Sequence, residues 1–423
     1  MTRKMKDSGI EWIGEIPEDW DVVRNKNIFN RKKEIIENEW KNTQLLSLTT
    51  KGIIKKDISI LEGKLPESFS TYQFVNKGDL VLCLFDLDMS AVFNGYCQYD
   101  GMISPAYKRY VLKAEGDLRY YNYLFDFIFD KRKYKIYSTT LRFTLDNQEF
   151  DRIPTIKPNL KQQIEIANFL DRKTKQIEDI KNTIKNEIET IENYKKSVIT
   201  EAITKGLDKN VEMKDSGIEW IGEIPKHWEV SKIKYNMKRM EKKNPGDKEV
   251  LSVYREYGVI PKDSRDDNHN VTSMDTSNYK YVKPGYFVIN KMKAWQGSMG
   301  VSQYEGIVSP AYYIYIFINR NIEPFYIHHL FRIVYPNEFK RISGGIREGQ
   351  WDLSANLFKN TFMTIPPLNE QNQIVDYLDK KTKLIDDSIA IKQKQLETLE
   401  KYKKSLIYEY VTGKKEVKDG EET

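Results

Sequence analysis

The chain has 423 residues, with 31% charged and 39% hydrophobic residues and a formal net charge of +6 from 68 basic and 62 acidic side chains. This length suits about two to four domains, and the apolar content is sufficient for buried cores, which excludes a globally disordered chain. No apolar run reaches the roughly 18 residues of a membrane span, and the charged N-terminal stretch does not resemble a secretion signal. We therefore expect a cytoplasmic protein in which the two cysteines, Cys83 and Cys97, are reduced core thiols.

The sequence repeats itself. Residues Met5–Pro17 recur without a change as Met213–Pro225. Further matches follow in the same order, pairing Gly52–Asp57 with Gly258–Asp263, and Ser104–Tyr107 with Ser309–Tyr312. Such an ordered series indicates a tandem duplication of one unit, and each unit has two parts of different character.

The first part of each unit, residues 1–158 and 210–366, predicts a mixed α/β domain. Short apolar runs bounded by Gly and Pro, such as Tyr312–Phe317, are typical of strands, and a helical pattern such as Tyr120–Tyr137 or Pro324–Ile342 is interleaved with them. The unchanged Trp-Ile-Gly-Glu-Ile-Pro segment predicts a turn that Trp12 and Trp220 dock on the core.

The second part of each unit predicts a long helix, over residues 159–209 and 367–414, and a polar tail follows at 415–423. Gly and Pro are absent between Leu160 and Gly206 and between Leu368 and Gly413. Apolar residues recur with a heptad period, which is typical of a coiled-coil seam. The predicted seam consists of Leu170, Ile177, Ile184, Ile188, Ile191, Val198, Leu378, Ile385, Ile389, Leu396, Leu399 and Leu406.

Two such helices in one chain are expected to bury their apolar stripes against each other, because isolated helices are marginal in water. The predicted fold is therefore α+β: two mixed α/β domains joined by two long helices that form an antiparallel coiled coil, with pseudo-twofold symmetry. Four lysines fall on the seam, namely Lys181, Lys195, Lys392 and Lys403. Their stems could extend toward water, or their charges could face another protein.

No pattern in the sequence predicts a catalytic or a metal site. Neither main type of Gly-rich phosphate loop is present, and no Asn-Pro-Pro-aromatic motif of amino-group methyltransferases occurs. The four histidines lack metal spacing, and the adjacent His328 and His329 favour a solvent or partner role. Asp86 and Asp88 could suggest a nuclease, yet the second repeat has Asn290 and Met292 nearby.

Cations, amides and one aromatic residue in loops instead favour nucleic-acid binding, since Lys and Arg contact phosphates while Gln and Asn read base edges. The candidates are Lys51, Lys55, Lys56, Arg142, Lys262, Arg265, Lys291, Lys293, Trp295, Gln296 and Arg347. The framework matches between repeats while these loops differ, which suits two domains reading two different short sequences, although solvated loops also drift. Arg142 and Arg347 match between repeats, so they contact phosphate or form structural ion pairs. Trp295 is either part of a reading surface or a buried anchor.

The repeated motifs resemble the specificity subunit of a Type I restriction–modification system. The resemblance rests on Gly-Ile-Glu-Trp-Ile-Gly-Glu-Ile-Pro at each domain start, Ser-Pro-Ala-Tyr in each domain, and the helix starts Leu160–Asp171 and Leu368–Asp379. It covers nearly the whole chain, with one departure at Lys161-Gln162, where the family has an acidic residue.

The resemblance implies two target recognition domains that each read one half of a bipartite double-stranded DNA site. It also implies helices that set the spacer and dock two modification subunits. Those subunits bind S-adenosylmethionine and methylate adenine, and restriction subunits hydrolyse ATP with magnesium and cut the DNA. Both activities belong to partners, so no cofactor is expected in this chain. The alternative is a non-catalytic coiled-coil scaffold that bridges partner proteins without any sequence readout.

Overall fold

The computed structural model describes residues 3–57, 68–243, 246, 248–255, 257–264, 275–345 and 351–418. The chain forms two compact units, Met1–Ile184 with Lys394–Thr423, and Lys185–Gln393. Each unit contains one globular domain and a portion of both long helices. This division differs from the sequence-based one, which separated the helices from the domains, because each helix packs against both domains along its length.

The first domain is built from short strands and three helices among its described residues. In chain order its elements are β1 (Met5–Asp7), β2 (Glu15–Pro17), β3 (Asp21–Arg24), α1 (Asn25–Ile28), β4 (Phe29–Lys32), β5 (Leu45–Thr49), β6 (Gly52–Lys56), β7 (Gln73–Val75), β8 (Leu80–Leu82), β9 (Asn94–Tyr96), β10 (Gly101–Ile103), β11 (Lys108–Leu112), α2 (Leu118–Asp130), α3 (Asn147–Arg152) and β12 (Pro154–Lys157). Two four-stranded sheets have the orders β6-β5-β10-β7 and β4-β11-β8-β9. The long helix α4 (Leu160–Lys205) follows.

The second domain repeats this plan. Its elements are β13 (Met213–Asp215), β14 (Glu223–Pro225), β15 (Glu229–Lys232), α5 (Ile233–Asn236), β16 (Met237–Met240), β17 (Leu251–Tyr254), β18 (Gly258–Pro261), β19 (Lys280–Val282), β20 (Phe287–Asn290), β21 (Met299–Val301), β22 (Gly306–Val308), β23 (Tyr312–Phe317), α6 (Pro324–His329), α7 (Pro336–Arg341), β24 (Ser343–Gly344), β25 (Asp352–Leu353), α8 (Ala355–Asn360) and β26 (Phe362–Ile365). The sheet β16-β23-β20-β21 corresponds to β4-β11-β8-β9. The second long helix, α9 (Leu368–Val411), follows.

The predicted docking of the repeated motif is confirmed. In the first domain it forms the hairpin β1–β2 and a turn, with Ile16 completely buried and the Trp12 ring 5.9 Å from Phe127. A later residue, Trp20, is the deeper anchor: it is completely buried and lies edge-on to Tyr120 at 6.4 Å. The Trp-motif segment is thus a packing element of the domain.

The helical pattern after the last sheet strand is real but interrupted. In the first domain α2 ends at Asp130, and Arg132 has a left-handed backbone (φ 51°) before a 3₁₀ turn, Lys133–Tyr137. In the second domain a π-helical turn, Leu330–Val334, follows α6, and Pro336 then begins α7. Proline suits the first turn of a helix but not its interior, so the expected continuous helix is divided there.

The long helices begin and end as their sequence predicts. At the start of α4, Asn159 and Gln162 cap each other reciprocally, side chain to backbone N–H, at 3.0 and 3.2 Å. Gly206 and Gly413, which follow the two helices, have left-handed backbones with φ 74° and 70°. Glycine adopts this conformation at little cost, which explains why the helices stop there.

In the first unit, α4 and α9 run antiparallel, as predicted. Lys181 Nζ lies 2.7 Å from Glu400, and Lys403 Nζ lies 2.9 Å from Glu178, so the partner's number falls as the helix number rises. Burial alone would lower the pKa of Lys181, but its hydrogen bonds to Glu400 and Glu178 outweigh burial and raise that pKa.

The second unit has the same antiparallel pairing. Lys195 Nζ lies 2.6 Å from Asp386, and Lys392 Nζ lies 2.6 Å from Glu187. All four seam lysines therefore form ion pairs between the helices. Each ammonium group thus has a carboxylate partner across the seam, and a contact of these charges with another protein stays a prediction.

The predicted seam is buried to different degrees. Its fully buried members are Leu170, Ile177, Ile184, Val198, Leu378, Ile385 and Leu406, and its half-buried members are Ile188, Ile191, Ile389, Leu396 and Leu399. Elsewhere in the core, Cys83 and Cys97 are buried free thiols, as expected.

Candidate nucleic-acid interface

Each domain presents two loops that are joined to each other, and we call this pair the two-loop face. In the first domain it consists of residues 85–90, after β8, and residues 131–145, after α2. The Leu145 N–H donates to the Leu84 carbonyl at 2.7 Å, and the Asp86 N–H donates to Thr144 Oγ1 at 3.1 Å. These bonds hold the two loops together although they are far apart in the chain.

Side chains fix the two-loop face of the first domain further. The Leu87 side chain is completely buried, and its carbonyl accepts hydrogen bonds from Arg132 at 2.9 Å and from the Tyr134 hydroxyl at 3.0 Å. Lys135 forms an ion pair with Asp88 and lies 4.6 Å from the centre of the Phe143 ring. Asp88 therefore serves as an ion-pair partner for a loop cation.

In the second domain the two-loop face consists of residues 291–298, after β20, and the described residues 342–345 and 351–353. The Leu353 N–H donates to the Lys291 carbonyl at 2.9 Å, which repeats the bond between Leu145 and Leu84. Lys291 Nζ also forms an ion pair with Asp352 at 2.6 Å. The two domains thus share the backbone plan of this face.

Aromatic side chains distinguish the second domain's face. The Trp295 and Trp351 rings lie 5.8 Å apart, and Lys340 Nζ lies 5.7 Å from the first and 5.4 Å from the second. Such cation–π contacts hold an ammonium group at the surface while leaving it charged. Trp295 is half-buried, and its indole N–H donates to the Met292 carbonyl at 3.2 Å. Of the two predicted roles, a reading surface or a buried anchor, it therefore fills the second in part.

The structure places four predicted residues in one short segment of this face. Lys291 and Lys293 precede, and Trp295 and Gln296 belong to, a 3₁₀ turn, Ala294–Gln296. Ala294 is completely buried and fixes the turn, whereas Lys293 is exposed. The exposed cation and the half-buried amide are therefore presented by an anchored backbone.

The other predicted residues lie elsewhere. Lys51, Lys55 and Lys56 are exposed on the β5–β6 hairpin, and Lys55 Nζ lies 4.6 Å from the centre of the Tyr99 ring. Lys262 follows β18, and its backbone N–H donates to the Val250 carbonyl at 2.8 Å. These positions are not part of the two-loop faces.

Arg142 is exposed in the turn Thr140–Phe143 of the first two-loop face. Arg265 and Arg347 lie outside the described residues. A DNA contact by any of the residues in the predicted set stays a prediction.

The structure adds basic clusters that the sequence reasoning missed. Burial lowers the pKa of Lys108 on β11, and the positive charges of Arg31 and Lys33 lower it further. In the second domain burial lowers the pKa of Lys280, and Arg239 on β16 lowers it further. In the first domain this mutual repulsion identifies a local excess of positive charge, which favours a polyanion, whereas in the second domain Glu241 forms an ion pair with Arg239 and offsets part of the charge.

The repeat contains the signal that could have found these clusters. Arg31 on β4 and Arg239 on β16 occupy equivalent places in the two copies. The other residues of β4 and β16 differ between the two copies. An arginine kept at this one position therefore indicates where the basic clusters lie.

The adjacent histidines are structural, contrary to the role that the sequence favoured. The Val301 N–H donates to His328 Nδ1 at 3.2 Å, and Arg332 lies at 2.6 Å from the other ring nitrogen. Burial lowers the pKa of both histidines, that of His329 to about 4, so both rings are neutral at neutral pH. Within the described part of the chain, no group of His, Cys, Asp and Glu is arranged to hold a metal ion.

None of the helices among the described residues combines the length and apolar character needed to cross a membrane. Solved structures with similar folds cover nearly all of the chain. A chain from a type I R-M system, studied for complex assembly and conformational transition, matches with a TM-score of 0.66 and 12% identity over 94% of this chain and 99% of its own length. The HsdS subunit from Thermoanaerobacter tengcongensis matches with a TM-score of 0.50 and 15% identity over 94% of this chain and 98% of its own.

Sequence relatives have the same extent. The Type I restriction enzyme MjaVIII specificity subunit of Methanocaldococcus jannaschii is 25% identical over 96% of this chain and 95% of its own length. The putative type I restriction enzyme MjaX specificity subunit of the same organism is 23% identical over 96% of both chains. Residues 225–401 match the family model of the Type I restriction modification DNA specificity domain. The resemblance of the duplicated chain to Type I specificity subunits is therefore confirmed.

Proposed function

We propose that this chain is the DNA-recognising subunit of a Type I restriction–modification complex and that each of its two domains reads one half of a bipartite site. The observation that carries the proposal is the two-loop face. Its backbone plan is the same in both domains, from Leu145 bonded to Leu84 to Leu353 bonded to Lys291, whereas its side chains differ. A fixed frame with different side chains suits the reading of two different short sequences.

Positive charge near each face supports the same function. Lys108 and Arg31 in the first domain, and Arg239 in the second, are cations on the sheet that carries the first loop, and Lys280 lies near Arg239 on the separate strand β19. Phosphate contacts supply affinity and register, while groups that reach the base edges supply specificity. Each domain thus combines a cationic sheet with a distinctive pair of loops.

We assign no chemistry to this chain. In the proposed complex, two modification subunits bind S-adenosylmethionine and methylate adenine, and restriction subunits use ATP and magnesium to cut DNA. These cofactors belong to the partners, and the complex acts in the cytoplasm.

We place the docking surface for the modification subunits on the long helices. Seam residues are used by the pairing of α4 and α9, but other apolar side chains on these helices are exposed. On α9, Leu384 is 66% and Ile391 is 61% exposed, and they lie one heptad apart on one face of the helix. Exposed apolar residues with this spacing suit a protein partner. We further propose that the lengths of α4 and α9 set the spacer between the half-sites.

Methylation mapping tests the reading function. Gln296→Ala should relax discrimination at one base pair of one half-site, by about 1–3 kcal/mol, and leave the other half-site unchanged. The mapped sites of wild-type and variant host cells provide the readout. The alternative, a scaffold without sequence readout, predicts that the purified complex shifts cognate and scrambled duplexes equally at every salt concentration.

A separate pair of variants tests the docking surface. Leu384→Asp with Ile391→Asp should abolish co-purification with the modification subunit without unfolding the chain, because both side chains are exposed. Leu357→Asp is the matched control, since Leu357 is 50% exposed and lies on α8 rather than on a long helix. Normal assembly of the double variant would contradict this docking surface.

A further inference from the structure

The tips of the first domain's two-loop face are apolar and exposed. Leu141 is 101% exposed, which equals its accessibility in an extended chain, and Met89 is 81% exposed. One residue lies in each of the two joined loops. A single exposed apolar residue is ordinary, but two at the tips of joined loops form a distinct feature.

Both tips are held by hydrogen bonds. The turn that carries Leu141 is closed by the Thr144 N–H donating to Thr140 Oγ1 at 2.7 Å and by the Ser138 hydroxyl donating to the Thr144 carbonyl at 2.8 Å. The turn that carries Met89 is closed by the Ser90 N–H donating to the Asp86 carbonyl at 2.9 Å. A held loop loses little conformational entropy on binding, so its side chains are prepared for contact.

The surroundings of these tips permit close approach to DNA. The carboxylate of Asp88, next to Met89, is paired with Lys135, and Arg142, next to Leu141, is exposed. The acid is therefore neutralised, and a cation lies beside the second tip. Leucine and methionine side chains offer no strong hydrogen bond, so the base feature that suits them in the major groove is the C5-methyl group of thymine.

We propose that Met89 and Leu141 read thymine methyl groups in the half-site recognised by the first domain. This inference rests on the proposed function, which includes methylation of adenine in each half-site. Every such half-site contains an A·T pair and therefore at least one thymine methyl group. The equivalent loop of the second domain carries Lys293 and Gln296 beside the exposed Met292, so we apply the inference to the first half-site alone.

The test uses the full chain assembled with its modification subunits and a duplex that carries the methylation-mapped site. Each thymine is replaced in turn by uracil, which removes only the methyl group. Removing one buried methyl group corresponds to roughly a fourfold loss of affinity. We expect this loss for at least one position in the first half-site with the wild-type chain, and no loss at that position with Leu141→Ser or Met89→Gln.

A control variant and the outcomes that would contradict the inference complete the test. Leu357→Ser removes an exposed leucine from the second domain and should retain the wild-type response to uracil in the first half-site. If every uracil in that half-site is neutral, or if its effect persists in both loop variants, the inference is overturned. If the variants bind thymine and uracil duplexes equally poorly and bend DNA less, the side chains act as wedges and the inference is likewise overturned. If the wild-type complex does not prefer the mapped site over a scrambled duplex, the proposed function itself has failed.

Discussion

Arg239 allows a quantitative test of phosphate binding by the sheet of the second domain. Arg239→Gln removes one cation from the cluster that contains Lys280. Each phosphate contact contributes about 0.9 to the slope of log affinity against log salt concentration. Loss of one contact should flatten that slope by about 0.9. Between about 50 and 200 mM salt, the ratio of wild-type to variant affinity should then fall roughly 3.5-fold.

Fluorescence anisotropy of the assembled complex on cognate and scrambled duplexes provides the measurement. The slope should flatten equally on both duplexes, because a phosphate contact is independent of base sequence. Arg239→Lys retains the charge and should restore the slope. Lys226→Gln is the control of equal charge change, since Lys226 is an exposed residue paired with Glu212 at 2.8 Å.

Two results would refute this role of Arg239. The guanidinium lies 4.4 Å from the centre of the Tyr313 ring, so a purely structural role predicts a lower melting temperature with an unchanged salt slope. A selective loss of affinity for the cognate duplex would instead make Arg239 a base reader. Either outcome separates the local packing of this side chain from its proposed contact with DNA.

Three further predictions concern the folded frame. Burial raises the pKa of Asp126 to about 6, although Asn94 donates a hydrogen bond to it at 2.8 Å. The folded state therefore favours the protonated carboxyl group, and stability is lost as the pH rises from about 4 through 6. Asp126→Asn should stabilise the first unit by about 1–3 kcal/mol at pH 7 and little at pH 4, which thermal melts at both pH values will measure. Lys181→Met should change the free energy of unfolding by less than about 1 kcal/mol and leave assembly intact in melting and co-purification experiments, because its partners Glu178 and Glu400 are exposed enough to be solvated by water. One heptad inserted after Ile184 and another after Gln393 should lengthen each helix by roughly 10 Å and the preferred spacer by about three base pairs. If methylation mapping shows that a working variant keeps the original spacer, the helices do not set the distance between the half-sites.

The long helices could be predicted closely because their signals are local. Heptad spacing, the absence of Gly and Pro, and a following glycine define α4 and α9 within the chain itself. The ion pairs of the seam lysines could not be predicted, because Lys181 meets Glu400 only through the register of two distant segments. The interruption between α6 and α7 was signalled by Pro336, but an apolar pattern that continued past it obscured the break.

The candidate interface could be predicted only in part. Divergent loops between matching motifs identified Lys291, Lys293, Trp295 and Gln296 as one segment. The second loop of the face was not identified as its neighbour, because backbone bonds such as that between Leu353 and Lys291 join residues far apart in sequence. The role of His328 was mispredicted for a related reason, since a helical pattern does not reveal that the Val301 N–H of a neighbouring strand donates to its ring.

The two copies have the same contacts where each domain packs on a long helix, whereas their outward-facing loops differ. In the first unit the buried Tyr120 hydroxyl donates to the Val411 carbonyl at the end of α9, at 2.9 Å. In the second unit Tyr326 makes the same bond to Ile203 near the end of α4, at 3.0 Å. Each of these tyrosines is packed edge-on by a buried tryptophan, Trp20 or Trp228, that follows the repeated motif. Because these joints involve none of the residues of the two-loop faces, the loops can change without disturbing how a domain is attached to its helices. A specificity protein built in this way can acquire a new half-site by changing loop side chains while the helix pairing, and the spacer that we propose it sets, remain the same.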